Sequence, residues 1–149
     1  MAEARLEAAT CFGADVVINN STEDPMVRIL ELTDGLGADV AIEAVGVPDT
    51  FELAARLIRP GGYVANVGVH GKPVALHLED LWIRNVTITT GLVDTYSTPT
   101  LLRLIENHQI NAGLFATHHF ELDDFMNAYE VFAQAAVTGA LKVVVTRKA

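Results

Sequence analysis

An α/β domain built on a parallel sheet is the fold this sequence predicts, and three observations predict it. The runs Asp39 to Val45, Tyr63 to Val69 and Val86 to Val93 are nearly continuous in apolar and β-branched residues, as in strands buried on both faces. Helical segments of about ten residues separate the earlier runs, long enough for the crossovers that join parallel neighbours. Each run also ends on or near a glycine, in Ala44-Val45-Gly46, Val67-Gly68-Val69 and Thr90-Gly91-Leu92.

Taken in order, Ala2 to Phe12 is rich in Ala, Leu, Glu and Arg and is followed by Gly13, a helix with a glycine stop. Asp15 to Asn19 is a short β-branched run leaving into Asn19-Asn20-Ser21, and predicts a buried strand. Asp24 and Pro25 supply a cap and a first-turn proline for a helix whose apolar face is Val27, Ile29, Leu30 and Leu32. The strand Asp39 to Val45 follows, then a helix capped by Asp49-Thr50 that runs through Ile58 and is broken by Pro60-Gly61-Gly62. After the strand Tyr63 to Val69, Lys72 to Arg84 is a longer irregular connection to the strand Val86 to Val93. Such alternation implies right-handed crossovers and a sheet covered on both faces. Thr98-Pro99 opens a helix over Leu101 to Asn107. An extended segment, Thr117 to Leu122, leads to Asp123, which caps a helix carrying Phe125, Tyr129, Phe132 and Ala136 on one face. Gly139 stops it, and Leu141 to Thr146 is the last strand.

At 149 residues, half of them apolar, the chain can bury one real core, and it shows no repeats or low-complexity stretches. Its net charge of −9 is spread over loops and helix starts with no basic cluster, which excludes a nucleic-acid role. No apolar run approaches the ~18 residues of a membrane span, and the first residues form no apolar signal region. Cys11 is the only cysteine, which excludes an intrachain disulfide and a cysteine-rich zinc site. The expectation is a cytoplasmic protein that meets neither nucleic acid nor membrane.

In an open parallel sheet, ligands bind beyond the carboxyl ends of the strands. A glycine there has two readings: it begins a turn, or it lets the backbone approach a flat ligand closely. Glu43, inside an apolar strand, reads better as a hydrogen-bonded structural carboxylate at the sheet end than as a perturbed acid. His118 and His119 are neighbours on an extended segment and point to opposite faces, so they do not chelate one ion. His70 and His77 lack a third ligand nearby and read as loop or surface residues.

Several segments in a fixed order carry a resemblance. Asp34-Gly35-Leu36-Gly37-Ala38-Asp39-Val40, Glu43-Ala44-Val45-Gly46, Arg59-Pro60-Gly61-Gly62, Val67-Gly68-Val69, Leu81 to Ile88 and Leu141 to Val145 together resemble the cofactor domain of medium-chain, zinc-type alcohol dehydrogenases. The resemblance covers nearly the whole chain. It implies a partial Rossmann-like, doubly wound parallel sheet without its first two strands and its Gly-x-Gly-x-x-Gly turn. Residues 1–113 would belong to the dinucleotide-binding domain, and 114–149 to a segment that returns to the catalytic domain.

The resemblance also implies the site. Backbone at Ala44, Val45 and Gly46 and at Val67, Gly68 and Val69 would face the adenosine-ribose and nicotinamide side of NAD, with NADP not excluded. Thr90, Gly91 and Leu92 would receive the carboxamide through backbone bonds. Lys142 matches a position that carries a basic residue near the pyrophosphate, and its other reading is an exposed terminal lysine. Gly35-x-Gly37 is not the phosphate-binding turn, since a helix precedes it and a strand follows. Catalytic zinc would sit only in the domain this sequence lacks.

Two consequences are expected. Unpaired edges where the first two strands belong predict that the chain self-associates, rearranges or needs its missing half, and a family-like pairing through the strand Val86 to Val93 makes a homodimer or higher oligomer, which Ile88→Lys should weaken. As a function, the chain reads as the cofactor-domain part of an oxidoreductase moving hydride between an alcohol and NAD(P), inactive alone and binding NAD(H) weakly if at all. The rival reading is a non-catalytic α/β remnant that serves oligomerisation or partner binding.

Overall fold

The computed structural model describes residues 3–91 and 95–147. In chain order it contains α1 (Glu3–Cys11), α2 (Pro25–Leu32), β1 (Ala38–Glu43), α3 (Pro48–Leu57), β2 (Ile58–Asn66) and α4 (Leu78–Leu81). A 3-10 turn at Trp82–Arg84 leads to β3 (Thr87–Thr90), then α5 (Thr98–Glu106), β4 (Ala116–Glu121), α6 (Phe125–Ala133), α7 (Ala135–Thr138) and β5 (Lys142–Thr146). All strand pairs are parallel, β1-β2-β3 in one sheet and β4-β5 in another. The contacts divide the chain into two compact units, Ile18–Asp94 and Met1–Val17 with Thr95–Ala149.

In the unit of β1 to β3, the core forms where α3 crosses one face of the sheet. Ala54 and Ala55 of α3 meet Ile58 and Val64 of β2 and Leu81 of α4, with Ala41, Phe51, Val86 and Ile88 closing around them. Two small alanines on α3 let the helix approach the strands, as close packing requires. The guanidinium of Arg84 donates to Ile58 O and, at 3.4 Å, to Ala55 O, which ties the last turn of α3 to the segment entering β3. Asp24 caps α2 as expected, its Oδ1 accepting Met26 N–H at 2.8 Å, with Pro25 in the first turn.

Several expectations need correction. Val16 to Asn19 is not a strand: a ladder needs a neighbour on which to place N–H and C=O groups, and this segment has none. The sheet is not covered on both faces, because Val40, Ile42 and Tyr63, whose side chains alternate with the core positions, stay exposed, Ile42 at 70%. Ile88, expected as an edge probe, instead packs against the core. Pro60-Gly61-Gly62 does not follow the helix as a separate break but lies within β2, where the register slips between Ala38 and Val40. Thr50 is not a cap: α3 begins at Pro48 after Val47, and the Thr50 hydroxyl turns back toward Glu43. β3 is shorter than the predicted strand, and Leu92 and Val93 lie outside the described residues.

β1 is an edge of its sheet. Alongside it runs a cavity of about 340 Å³ whose apolar lining includes Ile29, Val40, Ile42, Leu53 and Leu57. This is the side on which the resemblance expects further strands.

In the other unit, α6 joins β4 to β5 and packs its buried Ala128 toward them. The predicted helix from Asp123 breaks at Gln134 into α6 and α7, and Asp123 sits in a 3-10 turn before α6 instead of capping it. Phe12 stacks on Phe115 with ring centroids 4.4 Å apart, anchoring the end of α1 within this unit. Among the described residues no helix is long and apolar enough to cross a membrane.

Candidate functional site

β1, β2 and β3 stop level with one another. Glu43 pairs in register with Asn66 and Asn66 with Thr90, so the chain leaves all three strands side by side at the carboxyl end of the sheet. Parallel strands put these exits on one rim, where open α/β sheets bind ligands. Main-chain bonds hold the exits together: Val67 and Gly68 N–H donate to Glu43 O at 2.8 and 3.0 Å, and Gly91 N–H to Asn66 O at 3.3 Å. The structure therefore brings together Ala44, Val45, Gly46, Val67, Gly68, Val69, Thr90 and Gly91. Leu92 lies outside the described residues. Lys142 belongs to the other unit, exposed at the start of β5, where its carbonyl accepts the Thr117 hydroxyl at 3.3 Å.

Two of the glycines answer first to each other. At Gly46, with φ +86°, a Cβ would overlap the Val69 backbone, and at Gly68 it would overlap Glu43 Oε2 and the Gly46 backbone. Their missing side chains let the loop after β1 cross the loop after β2 at backbone contact. Gly91 differs: a Cβ there would meet nothing within 4 Å.

Glu43 sits beneath this crossing with its side chain fully buried. Its Oε1 accepts Val45 N–H and Gly46 N–H, both at 2.8 Å, and the Thr50 hydroxyl at 2.7 Å. Burial alone would raise its pKa, but the donors Thr50, Gly46 and Val45 together with nearby His70 overcome burial and bring it down from 4.5 to about 2. This agrees with a structural carboxylate at the sheet end. It also shows how the carboxylate works, folding the loop after β1 back over its own strand.

His70 lies in the loop after β2, as expected, but is not a free surface side chain. Its ring is mostly buried, Nε2 lies 2.8 Å from Asn66 Oδ1 and 3.3 Å from Glu43 Oε2, and Phe51 meets the ring edge-on with centroids 6.1 Å apart. Asn66 Nδ2 in turn donates to Gly68 O at 3.1 Å. The available signal was position: His70 follows Val67-Gly68-Val69 directly and stands four residues after the strand-ending Asn66. His77 lies on the surface, as expected, where it pairs with Glu79 at 3.0 Å. Outside the crossing, a cleft of about 570 Å³ is lined by Gly46, Val47, Pro48, Asp49, Gly71 and Lys72.

A parallel sheet whose glycine-bearing exits share one rim is matched by the family model for zinc-binding dehydrogenases over residues 1–107. The chain belongs to the zinc-binding dehydrogenase family. It is 34% identical, over 95% of its length, to an alcohol dehydrogenase of Cupriavidus necator, and 30% identical, over 92%, to the L-threonine 3-dehydrogenase of Thermococcus kodakarensis. Among solved structures it superposes on the zinc dependent alcohol dehydrogenase 2 from Streptococcus pneumonia with a TM-score of 0.92 and 49% identity, covering 97% of this chain and 42% of that one. The chain spans about two fifths of these relatives, 39% and 40% of the two curated proteins. Its fold is that of a partial Rossmann-type domain of this family.

The rim suits one end of the dinucleotide such a domain implies. Exposed Val45, Val67 and Val69 offer apolar surface to a flat ring, and a Cβ at Gly91 would meet no described residue within 4 Å. It does not suit the pyrophosphate, for which this unit offers no Gly-x-Gly-x-x-Gly turn opening a helix. Among the described residues, no three His, Cys, Asp or Glu side chains stand together as a metal-binding group. His118 and His119 alternate along β4, opposite Val143 and Val144, as expected for neighbours on a strand.

Proposed function

We propose that this chain forms the nicotinamide-facing wall of an NAD(P)-dependent alcohol dehydrogenase, and that by itself it binds NAD(H) weakly and turns over no alcohol. The observation that carries this reading is the common rim on which Glu43, Asn66 and Thr90 end their strands. When bound, the nicotinamide supplies the hydride chemistry. The chain's own part is to bind and orient. The backbone at Ala44 to Gly46 and Val67 to Val69 faces the ribose and ring, and Thr90, Gly91 and Leu92 meet the carboxamide. For Lys142, the resemblance alone supports a role near the pyrophosphate. The alcohol dehydrogenase and L-threonine 3-dehydrogenase names of the two relatives support an alcohol or hydroxyl-bearing substrate.

In this reading, residues 1–113 serve the dinucleotide-binding domain and 114–149 lead toward a catalytic one. β4 and β5 both fall within 114–149, which supports grouping them, while the compact unit that holds them also takes in residues 1–17 and 95–113. β1 and β3 are the outer strands of their sheet among the described residues, which supports assembly through sheet edges into a dimer or larger oligomer, and the single exposed Cys11 accords with a reducing cytoplasm.

Titration of the purified chain with NADH, followed by nicotinamide fluorescence, tests the reading. A weak, saturable change that Gly91→Val reduces is expected. Fluorescence no different from NADH with the urea-unfolded chain overturns binding, and zinc-dependent alcohol turnover by this chain alone overturns its inactivity.

A further inference from the structure

We propose that His70 is a positioning residue: with Asn66 and Glu43 it closes a clasp that makes the loops after β1 and β2 open and close as one body. The functional consequence rests on the cofactor-facing reading above; the clasp itself does not.

Side-chain hydrogen bonds within each loop, joined by the 3.3 Å contact of His70 Nε2 with Glu43 Oε2, make a continuous path between the loops. Glu43 Oε1 gathers Val45 N–H, Gly46 N–H and the Thr50 hydroxyl, which fixes the first loop. Asn66 Nδ2 holds Gly68 O in the second. His70 lies between these two clusters. Two acceptors, Asn66 Oδ1 and Glu43 Oε2, face its Nε2, which assigns the ring proton to that nitrogen. The same acceptors assign the Asn66 amide, since the opposite orientation would set an NH2 against the imidazole N–H and a carbonyl against Gly68 O.

Glu43 Oε2 is buried and accepts no hydrogen bond, and His70 Nε2, at 3.3 Å, is the donor facing it. If the imidazole is lost, a buried carboxylate oxygen faces no donor, and Asn66 loses the partner that orients it. The Phe51 ring restrains the imidazole from the side of α3. With Gly46 and Gly68 in backbone contact, neither loop has room to shift alone.

The test uses the full chain, reading amide hydrogen exchange by NMR together with NADH titration. In the wild type, Val45, Gly46 and Gly68 N–H should share one opening free energy and one dependence on urea, as members of one cooperative unit. His70→Leu removes the donor and should speed exchange at Gly46 and Gly68 about tenfold, the scale of one hydrogen bond, with Val64 in mid-strand unaffected. His70→Gln restores an N–H donor and should return exchange to within about threefold of wild type. The NADH dissociation constant should rise and recover in parallel.

Separate opening energies for Gly46 and Gly68 in the wild type overturn the clasp, which keeps it refutable even if His70→Leu fails to fold. Unchanged exchange in His70→Leu, or no recovery in His70→Gln, overturns it as well. Coupled exchange without NADH binding in any variant supports the clasp and overturns the cofactor reading. NADH binding with uncoupled exchange does the reverse.

Discussion

Replacing Glu43 should produce a loss of stability whose size depends on pH. In Glu43→Ala, the Thr50 hydroxyl keeps a partner, because it already lies 2.9 Å from Val47 O. Val45 and Gly46 N–H lose theirs, the second in a buried position. One buried and one half-buried amide stripped of a charged acceptor cost about 3 to 4 kcal/mol. Glu43→Gln keeps an oxygen for both amides and loses the charge, so it should cost about 2 kcal/mol. The carboxyl is held near 2 against an ordinary 4.5. A depressed pKa stabilises the fold at every pH above the unfolded value and loses that stabilisation as pH falls from about 5 toward 2. At about 1.4 kcal/mol per pH unit, the amount is about 3 kcal/mol. Urea unfolding followed by circular dichroism at about pH 7 and about pH 3 reads both effects, and the gap between wild type and Glu43→Gln should close at the lower pH. An equal gap at both pH values, or a Glu43→Ala cost under about 1 kcal/mol, would refute this account of the carboxylate.

The remaining predictions use the same unfolding assay unless another is named. Gly68→Ala should cost at least about 2 kcal/mol, because its Cβ would overlap Glu43 Oε2 and Gly46, whereas Gly91→Ala should stay within about 0.5 kcal/mol in open space. Arg84→Met should cost about 1 to 2 kcal/mol by leaving the carbonyls of Ala55 and Ile58 without their donor. Ile88→Lys should lose about 2 to 4 kcal/mol from the core beside Val64, so a change in mass by light scattering in that variant would not isolate a dimer edge.

How far the fold could be read from sequence follows from where each signal originates. The strands after Asp39, Tyr63 and Val86 were legible because a strand buried on its core face and bounded by glycine turns imposes its pattern locally. Asp15 to Asn19 carries the same β-branched signature and is not a strand, since composition can mark a segment as fit for a ladder but cannot supply the neighbour that completes it. The exposed face of Val40, Ile42 and Tyr63 was missed for a related reason. A continuous apolar run encodes burial on both faces, and this chain covers only one of them.

At the site, the strand-end glycines were legible as positions, but their purpose was not. A glycine pattern reports that something approaches the backbone closely without saying whether it is a ligand or another part of the chain. For Gly46 and Gly68 the approaching group is the opposite loop, while Gly91 faces open space. That difference narrows the case for binding. The crossing of Gly46 and Gly68 makes a stiff frame, with Glu43 and His70 as its internal fastening, and Gly91 lies beside it with room for a side chain. His70 escaped notice because its partners, Asn66 four residues before it and Glu43 on the adjacent strand, meet it only through parallel register. A search for metal ligands would also pass over it, since Asn66 and Glu43 occupy its Nε2 and its Nδ1 is buried without a partner. The physical role of such a histidine is to hold other groups in place, and its effect on a ligand would be felt through the backbone it immobilises.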